Sequence, residues 1–199
     1  YAACTGDSRA IIGRKPVQAL SPKSPRGWRS PPAILSVSMT CDQKPTRPDE
    51  RKRVRAAGGR ITRWKKNVGP LRVWLPDDWI PGLAMTRSIG DTILTEFGVT
   101  PEPEVTVTGL GPLDSFIVLA SDGVWEFMNS DEVAIFVWKE RNSGTTPSVA
   151  ASRLVSEAVR RWGQHEVMVD DITAVVLFLD FETQGLEAPD QPHLVMDDG

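Results

Sequence analysis

Apolar residues fall along the chain in two rhythms, short runs or two-residue alternation in some stretches and a three-to-four-residue recurrence in others. The first rhythm predicts strands at residues 1–5, 9–12, 34–37, 104–108, 115–120 and 172–179. The run 172–179 is rich in β-branched residues and reads as a central strand. Gly6-Asp7-Ser8, between the first two strands, predicts a hairpin turn.

The second rhythm predicts three helices. Residues 48–57 begin at a proline and end at Gly58-Gly59. Asn129 and Glu132 have the spacing of a capping box, followed by an apolar face of Val133, Phe136 and Val137. Thr146-Pro147 opens a third helix whose buried stripe is Ala151, Leu154, Val155, Ala158 and Trp162, with Gly163 as its expected stop. Residues 13–32, rich in Pro, Ser, Lys and Arg, read as a surface loop or insertion. Residues 63–80 carry Trp64, Trp74 and Trp79 without a clear period, which suggests a folded excursion over the surface, a candidate lid. From residue 182 the tail has acids and prolines but no Lys or Arg, and is expected to be disordered.

Composition narrows the class. The 199 residues, 40% apolar and 25% charged, suffice for one domain with a sizeable core, here placed at 1–181. A net charge of −3 argues against a dedicated nucleic-acid binder, and the basic run from Arg47 to Lys66 reads as a solvated face. Two cysteines make no disulfide framework, no apolar run reaches membrane-spanning length, and no secretory leader is visible. A cytoplasmic or nuclear monomer without membrane or nucleic-acid partners is the expectation.

Three acids share one feature: Asp7, Asp122 and Asp170 each sit where a turn meets an apolar strand. If those strand ends align, the carboxylates converge, and convergence of like charge is costly without a cation. Oxygen donors without nearby Cys or His would favour Mg²⁺ or Mn²⁺ over zinc. Three independent turn aspartates are the commoner source of such a pattern, and spacing alone leaves both readings open.

The ordered segments GDSRA (6–10), DQKPTRPDERKRVRAAGGRI (42–61), RVWLPDDWIPGLAMTRSIGD (72–91), VTPEPEV (99–105), IVLASDGVWEFMNSDEV (117–133) and VDDITAVVLFL (169–179) together resemble the metal-dependent Ser/Thr protein phosphatases of type 2C. The resemblance implies an α+β fold, part of a four-layer α-β-β-α sandwich. It implies two or more Mg²⁺ or Mn²⁺ ions and phosphoprotein substrates. It implies metal ligation by Asp122 and Asp170, with Asp7 at a further, weaker position. Gly123, Glu126 and Asp171 fall in the outer shell, where Glu126 is a longer acid than many members carry. Arg9, Arg87 and Asp91 become loop supports, and residues 63–80 correspond to the family's flap. Hydrolysis by metal-activated water needs no phosphoenzyme, and neither Cys4 nor Cys41 is read as a nucleophile.

The family's N-terminal strands and helices, with a DGHGG segment that supplies further ligands and a phosphate-holding arginine, have no counterpart here. The expected activity therefore belongs to a parent protein, with negligible turnover by these 199 residues alone. The alternative is a non-catalytic, phosphatase-like interaction or regulatory module.

Overall fold

The computed structural model describes residues 1–17 and 33–181. In chain order the elements are β1 (Ala2–Cys4), β2 (Arg9–Arg14), β3 (Leu35–Ser38), α1 (Pro48–Ala56), β4 (Arg60–Trp64), β5 (Val68–Trp74), β6 (Pro81–Leu83), β7 (Glu104–Thr106), β8 (Asp114–Ala120), α2 (Asp122–Trp125), α3 (Ser130–Asn142), α4 (Pro147–His165) and β9 (Ala174–Phe178). Short 3₁₀ turns at Lys65–Asn67 and Thr92–Phe97 complete the set. The α/β mixture with antiparallel sheets agrees with the expected class.

The central sheet has the order β3-β2-β8-β9, antiparallel throughout. Helices α3 and α4 cover one face of it. Between sheet and helices lies the main core, built on Ile11, Phe116, Val118, Val124, Met128, Val133, Val137 and Leu154. Phe116 is fully buried because its cross-strand partner is Gly13, where a Cβ would stand 2.1 Å from the ring. Leu119, Val175 and Leu177 are exposed, between 43% and 49%. The apolar run at 172–179 is therefore an alternating strand with one covered face, Val176 being its buried residue.

A second, three-stranded sheet, β4-β5-β6, spans most of the excursion predicted at 63–80. Trp64, Trp74 and Trp79 meet there with ring centroids 5.1–5.3 Å apart, and the Arg60 guanidinium lies 4.3 Å over Trp79. Aromatic contact across strands, rather than a sequence period, organises this element. A small core of Val54, Val73, Leu94 and Val99 joins it to α1.

Three expectations need correction. β1 and β2 form no hairpin: β1 pairs with β7, and β2 with β3 and β8. Gln43 reaches into the intervening turn, accepting from the Gly6 amide and donating to the Cys4 carbonyl, and these bonds hold the turn in place of a two-strand ladder. The strand near residues 172–179 is not central: among the described residues β9 pairs with β8 alone. Gly163 does not stop α4, which runs on to His165, because one helical glycine costs only about 1 kcal/mol in a helix held by its packed face. Of the predicted loop at 13–32, Gly13 and Arg14 belong to β2, and residues 18–32 lie outside the described residues, as does the predicted disordered tail.

Candidate metal centre

Asp7, Asp122 and Asp170 come together at one cavity of about 300 Å³, which Lys44, Glu126, Phe127, Trp162 and Glu166 also line. Each acid is delivered by a different device. Asp7 sits in the turn before β2, whose backbone Gln43 pins on both sides by accepting from Gly6 N at 2.7 Å and donating from its own backbone amide to Gly6 O at 3.0 Å. Asp122 is the first residue of α2, directly beyond the buried strand β8. Asp170 lies on the extended segment that enters β9.

Gly123 explains how the last two meet. A Cβ there would stand 2.5 Å from the Asp171 carbonyl oxygen and 2.9 Å from Ile172 Cγ1, so only a residue without a side chain lets α2 lie against the 170–172 segment. Ser121 clamps the same approach. Its amide donates to Thr173 O at 3.0 Å, its hydroxyl donates to Asp171 O at 3.2 Å, and it accepts from Thr173 N at 3.1 Å. Trp162 Nε1 donates to Gly123 O at 2.6 Å and braces the turn from α4.

The electrostatics match a cradle short of positive charge. The Asp122 carboxyl is pushed above its ordinary range, first by burial, then by Asp7 and Asp170, with Lys44 opposing. Asp7 is 5% exposed, and its Oδ2 receives no directed hydrogen bond. Lys44 Nζ stands 3.3 Å from that oxygen, within ion-pair reach. A buried carboxylate oxygen without a hydrogen-bond donor is costly in an apo protein and suited to a cation. The acids at this cavity offer oxygen, and among the described residues no Cys or His lines it, which fits a hard divalent ion rather than zinc.

A tighter set of acids lies elsewhere. Among the described residues, Asp49, Glu50 and Glu104 place ligand atoms within 4.8 Å of one another, closer than the cradle acids. Three guanidinium groups already neutralise that set. Fully buried Glu50 accepts from Arg53 at 2.6 Å, Arg87 at 2.7 Å and Thr86 Oγ1 at 2.6 Å, while Arg47 binds Asp49 and Glu104. Burial alone would raise the Glu50 carboxyl, but those donors hold it at about 2. This is a structural ion-pair hub.

The remaining sequence candidates divide. Glu126 faces the cavity from the end of α2. Asp171 contributes its backbone, accepting through its carbonyl from Ser121. Arg9 forks onto Asp42 at 2.9 and 2.8 Å, donates to Ser130 Oγ at 3.0 Å and lies 5.0 Å over the Trp125 ring, tying β2 to the 42–44 segment and to α3. Arg87 joins the Glu50 hub away from the cavity, and Asp91 accepts from Ser88 Oγ at 2.6 Å in a left-handed turn. Lys44 went unnoticed in the sequence, although it stands within the quoted DQKP segment; its charge two residues after Asp42 was the available signal.

Contrary to the expectation that neither cysteine stands in a nucleophile's C-x₅-R frame, Cys41 and Arg47 have that spacing. The structure gives it no anion cradle, because both ends of the Arg47 guanidinium are taken by Asp49 and Glu104.

The sequence profile of the protein phosphatase 2C family matches residues 1–167. A probable protein phosphatase 2C 12 of Oryza sativa is 40% identical over 186 residues, covering 92% of this chain and 43% of that protein. The probable protein phosphatase 2C 72 of Arabidopsis thaliana is 36% identical, covering 90% of this chain and 50% of that protein. Among solved structures, a serine-threonine phosphatase 2C of Toxoplasma gondii shares the fold with a TM-score of 0.71 at 22% identity, over 88% of this chain and 53% of that one. The chain thus spans between about a third and a half of the length of the curated relatives it matches.

Proposed function

The chain belongs to the protein phosphatase 2C family, and from that premise we propose that its carboxylate cradle serves metal-dependent hydrolysis of phosphoserine and phosphothreonine in proteins. The observation that carries the proposal is the meeting of Asp7, Asp122 and Asp170 at one cavity, with a buried Asp7 oxygen that receives no hydrogen bond. Mg²⁺ or Mn²⁺ bound there would supply an activated water and neutralise phosphate charge at neutral pH.

The chain's own residues do the rest. Asp122 and Asp170 would hold the cation, and Asp7 would hold a further one. Ser121 and Gly123 keep the first two acids at a constant separation, which is what a preorganised site requires. Phe127 and Trp162, with ring centroids 4.8 Å apart, give the cavity an apolar wall that limits water and strengthens charge interactions inside it. Pro70, Leu71 and Arg72 of β5 border the same cavity, so the three-stranded sheet is the proposed substrate-facing element.

The test is hydrolysis of a phosphothreonine peptide by the natural full-length protein that contains these residues, titrated with Mn²⁺. Asp122→Asn is expected to lower kcat at least 100-fold (an RT ln 100 difference of about 2.7 kcal/mol) with the fold intact. Turnover independent of Mn²⁺, or unchanged in Asp122→Asn, would refute the assignment.

A further inference from the structure

One cation is already seated in the cradle. The Lys44 side chain is 34% exposed, and its ammonium lies 3.3 Å from Asp7 Oδ2 in a side chain only 5% exposed. The pairing is built into the scaffold. Gln43, the neighbour of Lys44, binds both edges of the turn that carries Asp7, and its carbonyl accepts from Thr86 N at 2.7 Å. On the other side Asp42 is locked by the Arg9 fork. One short segment thus fixes the backbone of the acid and of the lysine together.

The partner itself is not fixed. The Asp7–Lys44 pair lacks hydrogen-bond geometry, and Lys44 offers a point charge on a flexible stem of four carbons. A divalent ion ligated through that oxygen would stand a few ångströms from the ammonium, and the two cations would repel. Lys44 also acts on Asp122, whose charged form it favours across the same cavity.

We infer that Lys44 is an internal counter-cation which a divalent ion must displace from Asp7, so that Lys44 weakens metal binding at that position and sets the concentration at which it fills. The inference rests on the metal reading above. Lys44 is a positioning and charge-balancing residue: it protects the buried acid when the ion is absent and withdraws toward solvent when the ion arrives. The arrangement keeps Asp7 folded without metal and makes its position the weaker one.

Isothermal titration of the natural full-length protein that contains these residues with MnCl₂ alone tests this, with thermal unfolding as a parallel readout. Lys44→Met should raise the affinity of one Mn²⁺ site at least tenfold. The same variant should melt lower than the parent without metal and gain more in Tm on Mn²⁺ addition, whereas a lysine with a merely structural role would lower Tm at every Mn²⁺ concentration. Lys44→Arg, which keeps the charge, should retain the parent affinity. Mn²⁺ binding that Asp122→Asn weakens but Lys44→Met leaves unchanged or weakens would overturn the Lys44 inference and leave the metal reading standing. Binding indifferent to Asp122→Asn, or no binding by parent and Lys44→Met alike, would overturn both.

Discussion

Gly123→Ala is the most discriminating perturbation of the centre, because the sign of its effect depends on one contact. In the first turn of a helix, alanine for glycine would by propensity alone stabilise by up to about 1 kcal/mol. The structure demands the opposite sign. The added Cβ would lie 2.5 Å from Asp171 O, about 1 Å inside ordinary contact, and 2.9 Å from Ile172 Cγ1. Backbone oxygen cannot step aside as a flexible side chain would, so α2 and the 170–172 segment must part. Such overpacking costs about 1–3 kcal/mol. Parting also stretches the three hydrogen bonds between Ser121 and residues 171 and 173, each worth roughly 1 kcal/mol. With all three lost and the propensity gain set against them, the net loss is about 3–5 kcal/mol. Urea unfolding followed by tryptophan fluorescence would register it through Trp125 and Trp162, which flank the turn. Mn²⁺ affinity should fall with it, since Asp122 and Asp170 move apart. A variant as stable as its parent, or more stable, with unchanged Mn²⁺ affinity would refute the claim that close approach at Gly123 assembles the centre.

Two further outcomes follow from the scaffold. Glu50 has a folded pKa of about 2 against an ordinary 4.5, so its contribution is fully present above pH 4.5 and is lost as pH falls toward 2. Holding that carboxyl at about 2 corresponds to about 3 kcal/mol. Urea midpoints measured from pH 6 to pH 2 should fall more steeply in the parent than in Glu50→Gln, which should already be destabilised at pH 7; parallel curves would refute the hub's role. Asn129→Ala removes the side chain that accepts from Glu132 N in the reciprocal cap of α3, and should lower stability by about 1 kcal/mol in the same assay, a loss absent if the cap contributes nothing.

Elements set by neighbours a few residues apart were legible in the chain. The Asn129–Glu132 box, the Thr146-Pro147 start, α1 ending before Gly58-Gly59, and the strands around Ile11, Val118 and Val176 all follow from caps and periods that act locally. The ordered motifs likewise pointed to the family and to Asp7, Asp122 and Asp170 as candidates. Pairing was not legible, because strand partners are chosen by contacts far apart in sequence. Gly6-Asp7-Ser8 has the composition of a hairpin turn, yet β1 joins β7 about a hundred residues on, since Gln43 ties down the turn and β2 finds its partner in β8. The three tryptophans between 64 and 79 carry no period because Trp64 and Trp74 stand on paired strands and Trp79 meets them from the β5–β6 connection.

By itself, then, the sequence determined the three longer helices, the strands of the central sheet and the acids at their ends, for these depend on backbone preference and on burial of a local apolar face, whereas β4, β5, β6 and the short α2 were not legible in it. Only the tertiary structure decided that three of those acids share a cavity while Asp49, Glu50 and Glu104 are neutralised by arginines, and that Lys44 stands beside Asp7. Charge interactions depend on distance through space, and that distance exists only once residues tens to more than a hundred positions apart have packed together.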